Sequence, residues 1–422
     1  MEQEIDTRSA RSLILFSFAM FAQATIALSI VGVLGSISAE WSISATEGAL
    51  LITAFGGTFA LCAPIMQMIV GHWVRRTQIL TGISIMALGA AGFALAPGYS
   101  GLLFARILMG LGAALLSPVL LALGTSMVKP HQQGSALAII AMGISIASVV
   151  GVPASAWLGG YVGPRWLYGI IAILLAVIGV LIALFITDRS RGERVGALQA
   201  LKLLAAPATL SGLLVIFFIT AGIFATYTMI TPIMHDAYGA GTRTISVGLL
   251  LYGVSGILGN FFVRKAASKW RAEVLLKVAM LTLIAVFTAL LVLPASLAML
   301  IAALIVWPFA ADIIWPSQQR RMVELEPGFR GIALALSASF LAAGMAFGSA
   351  AGGAVFASRG FAAVLTLSIL LIAMGLWALG LSVRSWARGA MPRSVPTTGI
   401  RIPVLAHYYE PISSQHFQSS HD

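Results

Sequence analysis

The sequence predicts an all-α membrane protein with twelve transmembrane helices in two pseudo-symmetric six-helix bundles. Three observations carry that prediction. Of the 422 residues, 59% are hydrophobic and 9% charged, against about 25% charged in an ordinary soluble domain. Apolar stretches of the ~20 residues that a bilayer-crossing helix needs recur twelve times along the chain. The longest polar connection falls near the middle. A mean hydropathy of +0.98 means that the chain is apolar nearly throughout, which excludes a soluble enzyme, a disordered protein and a fibrous repeat. Its 43 glycines follow no three-residue period, so collagen is excluded too. The single cysteine, Cys62, rules out an intramolecular disulfide and a cysteine-based metal cluster.

The twelve stretches are 13–37, 46–70, 78–97, 101–127, 134–161, 164–187, 208–234, 244–263, 274–294, 297–319, 330–357 and 361–383. They read as helices because a barrel strand would alternate apolar and polar residues. Ile170 to Ile186 is apolar on every side, which only a bundled or lipid-facing helix carries. The first stretch, Leu13 to Ile37, exceeds the 7–15 residues of a signal-peptide core and follows an acidic start. It is read as a retained span.

Charge orients the spans. With the amino terminus in the cytoplasm, the cytoplasmic segments hold 20 of the 25 Lys+Arg: residues 8, 11, 75, 76, 129, 189, 191, 194, 202, 264, 265, 269, 271, 320, 321, 330, 384, 388, 393 and 401. The opposite side holds Arg165, Arg243 and Arg359, while Arg106 and Lys277 lie within spans. This is the positive-inside pattern. The formal charge of +11 is therefore a topology signal, and no nucleic-acid partner is needed to explain it. Both termini should be cytoplasmic, in the inner membrane.

The expected organisation is a cytoplasmic segment 1–12, a bundle 13–187, a polar cytoplasmic loop 188–206, a bundle 207–384 and a disordered tail 385–422. An internal repeat supports two bundles. Gly134-Ser-Ala-Leu-Ala138 recurs as Gly331-Ile-Ala-Leu-Ala335, and at the same offset of 197 Gly151 matches Gly348 and Ala154 matches Ala351. Both copies open the fifth span of a half, as a duplication would place them. The tail holds four prolines, many serines and His407, His416 and His421, which are read as unligated.

Local motifs then suggest a family. Span 4 begins Arg106-Ile-Leu-Met-Gly110-Leu-Gly112-Ala113-Ala114. Span 5 carries Gly143 and then Gly151-Val-Pro153-Ala-Ser-Ala-Trp-Leu-Gly159-Gly160. Span 7 reads Ala225-Thr-Tyr-Thr-Met-Ile-Thr-Pro232, and span 8 Tyr252-Gly-Val-Ser-Gly256-Ile-Leu-Gly259-Asn260. Spans 10 and 11 give Pro316-Ser-Gln-Gln-Arg320-Arg-Met-Val-Glu324-Leu-Glu-Pro327 and Gly331-Ile-Ala-Leu-Ala335. In order and spacing these resemble the major facilitator superfamily, and within it the arabinose-efflux-permease branch of the drug:proton antiporters, over roughly 10–385. There are departures. The loop after span 2 reads Gly71-His-Trp-Val-Arg75-Arg76, basic where the family places an aspartate, so a cytoplasmic gate of Gly71, Arg75 and Arg76 would lack that acid. Span 5 has Gly-Val-Pro for the fuller Gly-Pro, and span 1 has no acid.

The resemblance implies alternating access around a cavity lined by spans 1, 4, 7 and 10. Those spans offer Gln23, Phe16, Phe21, Met109, Thr226, Tyr227, Trp307 and Trp315, for each of which helix packing is the plainer alternative. Together they would suit a small neutral or amphipathic solute. The glycines of spans 5 and 11 (Gly143, Gly151, Gly159, Gly160, Gly344, Gly348, Gly352 and Gly353) are expected to form the contact between bundles, with Pro153 allowing a bend; static packing is the alternative. Asp312 lies 15 residues into span 10, ~22 Å along the helix, and shares a face with Pro308 and Pro316. A charge there costs at least ~2.5–3.5 kcal/mol. It is a candidate for proton coupling, or a hydrogen-bonded brace for two prolines. Arg106 either snorkels to the external interface or, on the family reading, enters the cavity near the proton or substrate path.

No nucleophile elbow, Walker A loop or buried catalytic cluster is present. The chain is therefore expected to be no enzyme and to need no cofactor or metal. The reading is a monomeric secondary transporter in the lipid bilayer that exports a small organic solute (a sugar, nucleoside, purine or drug-like molecule) in exchange for protons. The alternatives are a facilitator or uptake symporter on the same fold, a transport-dead sensor, or a polytopic membrane enzyme.

Overall fold

A computed structural model describes residues 6–129, 132–191, 197–266, 269–293, 296–326 and 330–390. The helices are α1 Thr7–Trp41, α2 Ala45–Val70, α3 Arg75–Ala94, α4 Tyr99–Ser126, α5 Gln133–Ile146, α6 Val152–Tyr161, α7 Pro164–Phe185, α8 Ala197–Ala205, α9 Pro207–Tyr227, α10 Ile230–Tyr238, α11 Thr242–Ala266, α12 Ala272–Val292, α13 Leu297–Leu325 and α14 Arg330–Ala390. Among the described residues the extended pairing is one isolated bridge, Val74 to Arg191.

Particular residues set the helix limits. Ser44 and Glu47 form a reciprocal capping box, the Glu47 N–H donating to the Ser44 hydroxyl at 3.2 Å and the Ser44 N–H to the Glu47 carboxylate at 2.8 Å. Prolines break two spans. Pro153 cannot donate back along span 5, and a π turn, Ala147–Gly151, precedes it between α5 and α6. Pro232 divides span 7, its ring conflicting with the Thr228 carbonyl four residues back, so the span becomes α9 and α10. Helix α14 has 61 residues, ~90 Å if straight, three times a bilayer core. It is two spans merged across Gly360, whose φ of 73° is left-handed. With that division the twelve expected spans are present.

Three boundaries differ from expectation. Span 10 runs on to Leu325, so Arg321 is not a loop charge but a fully buried helical residue. It donates to the Ser382 hydroxyl at 2.7 Å. The polar loop 188–206 contains helix α8, whose Leu203 packs with Leu213, Met322, Ala333 and Leu336. Of the expected tail, 385–390 continue α14, and 391–422, with its histidines, lie outside the described residues, as do 1–5.

Helices α1 to α7 pack mainly with one another, as do α8 to α14. Lipid-facing stripes remain, such as Ile173, Val177, Val180 and Leu184 on α7, all exposed. The side that carries the ends of α1 and α14 is called the terminal side below, and the other the distal side. Three hydrogen bonds that cross between the two sets lie in the distal half. Thr46 donates to the Gly353 carbonyl and Thr53 to the Ala346 carbonyl, both at 3.0 Å. Thr231 donates to the Val31 carbonyl. Glycines bring the same surfaces together: Gly56 lies against Met345 and Ala342, and Gly253 against the backbone of Ser148 and Val149. Towards the terminal side α1 and α5 instead line an open apolar groove, walled by Phe18, Phe21, Met142, Ile146 and Val150.

Candidate functional site

Besides Arg321 near the terminal end of α13, two charges lie within the spans, Arg106 in the first half and Asp312 in the second, and their surroundings differ. Arg106 of α4 is fully buried. Its Nε donates to the Leu51 carbonyl at 3.0 Å, Nη1 to the Ile26 carbonyl at 2.8 Å and Nη2 to the Ala27 carbonyl at 3.3 Å. Its guanidinium carbon lies 4.8 Å from the centre of the Phe55 ring. The planar fork thus ties α4 to α1 and α2. Arg106 neither snorkels to an interface nor borders an open cavity in this conformation, contrary to both expectations for it.

Asp312 of α13 is only partly buried. Among the described residues its carboxylate has neither a hydrogen bond nor an ion pair. It lies against Gly256 of α11, where a Cβ would collide with it. Pro316 cannot donate to the Asp312 carbonyl four residues back, so that oxygen lacks its helical partner. Two phenols, Tyr227 and Tyr252, are within electrostatic range of the carboxylate.

Those phenols belong to an aromatic cluster. The Tyr227 and Tyr252 rings lie 4.8 Å apart, Tyr252 and Trp307 5.4 Å, and Tyr227 and Trp307 6.1 Å. Phe287 backs Trp307 at 5.0 Å. The two Trp307 contacts with the phenols are edge-on, the geometry that ring quadrupoles favour. The break in span 7 places Tyr227 at the end of α9, facing α11 and α13. Buried Trp307 Nε1 has no acceptor among the described residues, an uncommon state for a buried donor.

The remaining expected residues sort by position. Gln23 is half-buried and donates to the Ser117 hydroxyl, while its carbonyl oxygen is unpartnered. Phe21 borders the groove. Trp315 is half-buried, and Phe16 fully buried. Two cavity candidates are placed in helix packing instead. Met109 is fully buried and meets Gly89 of α3; buried Thr226 shares a 2.8 Å bond with Ser368. Arg75 donates to Ser126 at 3.0 Å and Arg76 to the Ala183 carbonyl. Together with the Arg75 N–H to the Ser190 carbonyl at 3.0 Å, these bonds stay within the first half and the loop after it. Gly71 ends α2 with ordinary helical angles.

The glycine seam also differs from expectation. Gly143, Gly151 and Gly159 face Ser17, Thr25 and Val33 of α1, inside the first half. Gly344, Gly348 and Gly352 face the carbonyls of Phe217, Ala221 and Ala225 of α9, inside the second. Only Gly160, against Thr242, and Gly353, against Ala49, meet the opposite half among these eight. The reason is geometric. A smooth small-residue face accepts whichever backbone comes closest, and spans 5 and 11 lie alongside spans 1 and 7. The repeat is preserved in this, since each fifth span packs on the first span of its own set.

Sequence reasoning passed over Tyr252 and Gly256, although both stand in the span 8 motif. It also passed over Thr46, Thr53 and Thr231, which no intramembrane charge marks. Among the described residues no three His, Cys, Asp or Glu side chains are grouped to hold a metal.

A twelve-span chain of two six-span sets, hydrogen-bonded to each other in the distal half, has the build of a membrane transporter. Residues 13–325 match the Major Facilitator Superfamily, and the chain belongs to that family; it is a transporter and not an enzyme. It is 27% identical to the inner membrane transport protein YdhP of Escherichia coli (strain K12), over 88% of this chain and 96% of that one. It is 28% identical to the MFS-type transporter YbcL of Bacillus subtilis (strain 168), over 77% and 83%. It is also 28% identical to a chloramphenicol resistance protein of Streptomyces lividans, over 62% and 68%. Among solved structures, the nucleoside transporter NupG superposes with a TM-score of 0.70 at 12% identity, covering 89% of this chain and 99% of that one. A bacterial homologue of the lysosomal transporter Spinster, inward-facing and unoccupied, gives 0.66 at 17% identity, with 90% and 96% covered. These two likenesses concern the fold.

Proposed function

We propose that the chain exports a small organic solute from the cytoplasm in exchange for protons, by alternating access between two six-helix bundles. The terminal side is then the cytoplasmic side, as the distribution of Lys and Arg argues, and the conformation is inward-facing. The distal threonine and glycine contacts close the external side, and the groove of α1 and α5 opens to the cytoplasm. Asp312 is the proton site. The observation that carries this assignment is the absence of any partner for its carboxylate among the described residues, which leaves it able to bind and release a proton as the bundles rock. Export agrees with the likeness to the chloramphenicol resistance protein. Uptake of chloramphenicol and of a panel of lipophilic solutes into inverted vesicles tests the reading. An imposed pH gradient, acid inside, should drive accumulation above equilibrium, and Asp312→Asn should abolish the uphill part. Equal uptake with and without the gradient would leave a facilitator.

A further inference from the structure

Resting on the alternating-access reading, we infer that Arg165 is a positioning residue for transport: it clamps the distal ends of α1 and α3 to the start of α7, so that α2 presents Thr46 and Thr53 to span 11 and the external side closes. Arg165 follows Gly163 and Pro164 at the start of α7. Its Nε meets the Glu40 carboxylate at 2.6 Å, and Nη1 donates to the carbonyls of Ala94 at 3.2 Å and Ala96 at 3.1 Å. Its guanidinium carbon lies 4.6 Å from the centre of the Trp41 ring. Trp41 Nε1 donates to the same Ala96 carbonyl at 3.0 Å. One side chain thus gathers the ends of two helices onto a third. A base on the external side runs against the charge rule that orients the chain, and the geometry gives this one a task.

The internal repeat marks the clamp as an addition to the first half. Helices α1 and α10 both end on a left-handed residue, Ser42 at φ 52° and Gly239 at φ 64°. The turn before α7 and the break in α14 both hold a left-handed glycine, Gly163 at φ 84° and Gly360 at φ 73°. Each pair stands at the repeat offset of 197. At that offset Glu40 and Arg165 become Ala237 and Ala362. The second half therefore makes the same turns without the clamp. It also has glycine where the first half has Ser42, whose Cβ makes the left-handed region costly. Such a residue persists where its surroundings hold it. Glu40 and Trp41, the two residues before Ser42, are the ones that Arg165 holds.

The ion pair adds little to fold stability. Both partners are 39% exposed, and pairs in such places contribute little. What the clamp fixes is position. Ser42 leads through Ile43 to Ser44, the N-cap of α2. The first turn of α2 carries Thr46, which donates to the Gly353 carbonyl of the opposite half at 3.0 Å. A second route starts at Ala96. Tyr99, three residues on, donates to the Glu47 carbonyl at 3.2 Å. Both routes from Arg165 end on the first turn of α2. Hydrogen bonds weaken steeply with distance and angle. A turn held from two sides therefore keeps Thr46 and, two turns on, Thr53 in reach of the carbonyls of span 11.

Distance measurements between spin labels at Ser100 and Gly241, one on the distal side of each half, test this on the full-length chain in detergent, in a Cys62→Ser background. Arg165→Ala should enlarge the longer-distance, externally open population by about two- to tenfold, the loss of a neutral hydrogen bond. Its thermal unfolding should stay close to that of the parent. Arg165→Lys, which keeps the charge beside Glu40 and loses the fork, should act in the same direction and less. The route is tested by a cycle with Thr46→Val and Thr53→Val together. In the parent this pair should enlarge the same population, and in Arg165→Ala it should add less than twofold. Three results overturn the inference: an unchanged distribution in Arg165→Ala, whether or not its unfolding temperature falls; no effect of the threonine pair in the parent; or effects of the two changes that multiply in full. Should Arg165→Ala not elute as one folded species, Trp41→Phe decides, since it removes a donor to Ala96 and keeps an aromatic ring. It should give a smaller enlargement, and an unchanged distribution overturns the inference. The measurement needs neither solute nor gradient. A failure here therefore leaves proton-driven export standing, whereas the expected distances with no gradient-driven transport strike only the export reading.

Discussion

Arg106 of span 4 and Asp312 of span 10 are charges placed well inside their helices, and the two are handled in opposite ways. Arg106 is enclosed, with three carbonyl acceptors on two other helices and an aromatic face beside it. Asp312 is partly open, unpaired among the described residues and flanked by prolines that loosen its own helix. Burying a polar group is tolerated when its hydrogen bonds are complete and costly when they are not. The first arrangement is therefore what a folded half needs in order to stay rigid. The second is what a site needs in order to exchange partners. The difference teaches that an intramembrane charge is read by its partners rather than by its depth, and it can be broken or sharpened by substitution.

The largest effect is expected at Arg106. Arg106→Ala removes the fork that ties α4 to the carbonyls of Leu51, Ile26 and Ala27 on two other helices. Charged hydrogen bonds contribute about 1.5–3 kcal/mol each, so loss of the set gives a destabilisation of about 3 kcal/mol or more. Thermal unfolding in detergent should show a large drop, and transport should disappear with the fold. Arg106→Lys can reach only part of the set and should recover little. If Arg106→Ala unfolds at the wild-type temperature, the arginine is not a structural tie, and the contrast with Asp312 collapses.

Next comes Gly348→Leu. The glycine lies against the Ala221 carbonyl of α9, within its own half. Overpacking of a close backbone contact costs about 1–3 kcal/mol, and here it pushes span 11 off span 7. The variant should lose stability by that amount as well as transport. Gly353→Leu, whose side chain would meet Ala49 across the seal, should instead keep its stability and lose the closed external side. Equal behaviour of the two variants would mean that the seam between halves and the seam within a half are not distinct.

Asp312→Asn is the counterpart of Arg106→Ala, and its expected stability change is close to zero or slightly favourable. It removes a charge that has no partner to lose among the described residues. Gradient-driven transport should fall to the passive level while the unfolding temperature stays within the ~2–4 °C that 1 kcal/mol produces in a mid-sized protein. A drop as large as that of Arg106→Ala would mean that the carboxylate braces the helix after all.

These expectations also mark what was legible from residues alone. The spans were legible because a bilayer demands long apolar helices and leaves them few polar breaks. Pro153 announced the interruption of span 5, since a missing N–H has a local consequence. Asp312 stood out because an acid in an apolar run is costly wherever it faces. The partners were not legible. Gly143 and Gly348 advertise a smooth face, but the backbone that fills it depends on how the helices are arranged. Met109 and Thr226 lie on spans that line the family's cavity, yet each is rotated into packing. Tyr252 carries no charge, and only its ring neighbours on two other helices give it meaning. Helix α8 escaped notice because nine residues among polar neighbours resemble a loop until Leu203 finds Leu213 and Met322.

The smallest effect concerns the seal, and it tests whether the halves differ from the joint between them. Thr46, Thr53 and Thr231 each donate a hydroxyl to a carbonyl of the opposite half. No ion pair crosses there among the described residues. A neutral hydrogen bond nets about 0.5–1.5 kcal/mol, so each Thr→Val change should bias the equilibrium towards the outward-open state by up to about tenfold. Valine keeps the shape and removes the donor, which separates the bond from the packing. Spin labels at Leu95 and Gly241, one on the distal side of each half, would report the change as growth of a longer-distance population. The single variants should fold with little change in stability, because the bond is lost from one conformation and not from the interior of either half. The three effects should add in the triple variant, since the bonds are made by different residues at separate points. A distance distribution unchanged in the triple variant would show that glycine packing alone holds the external side closed. The bundles would then be joined by the same means that hold each one together.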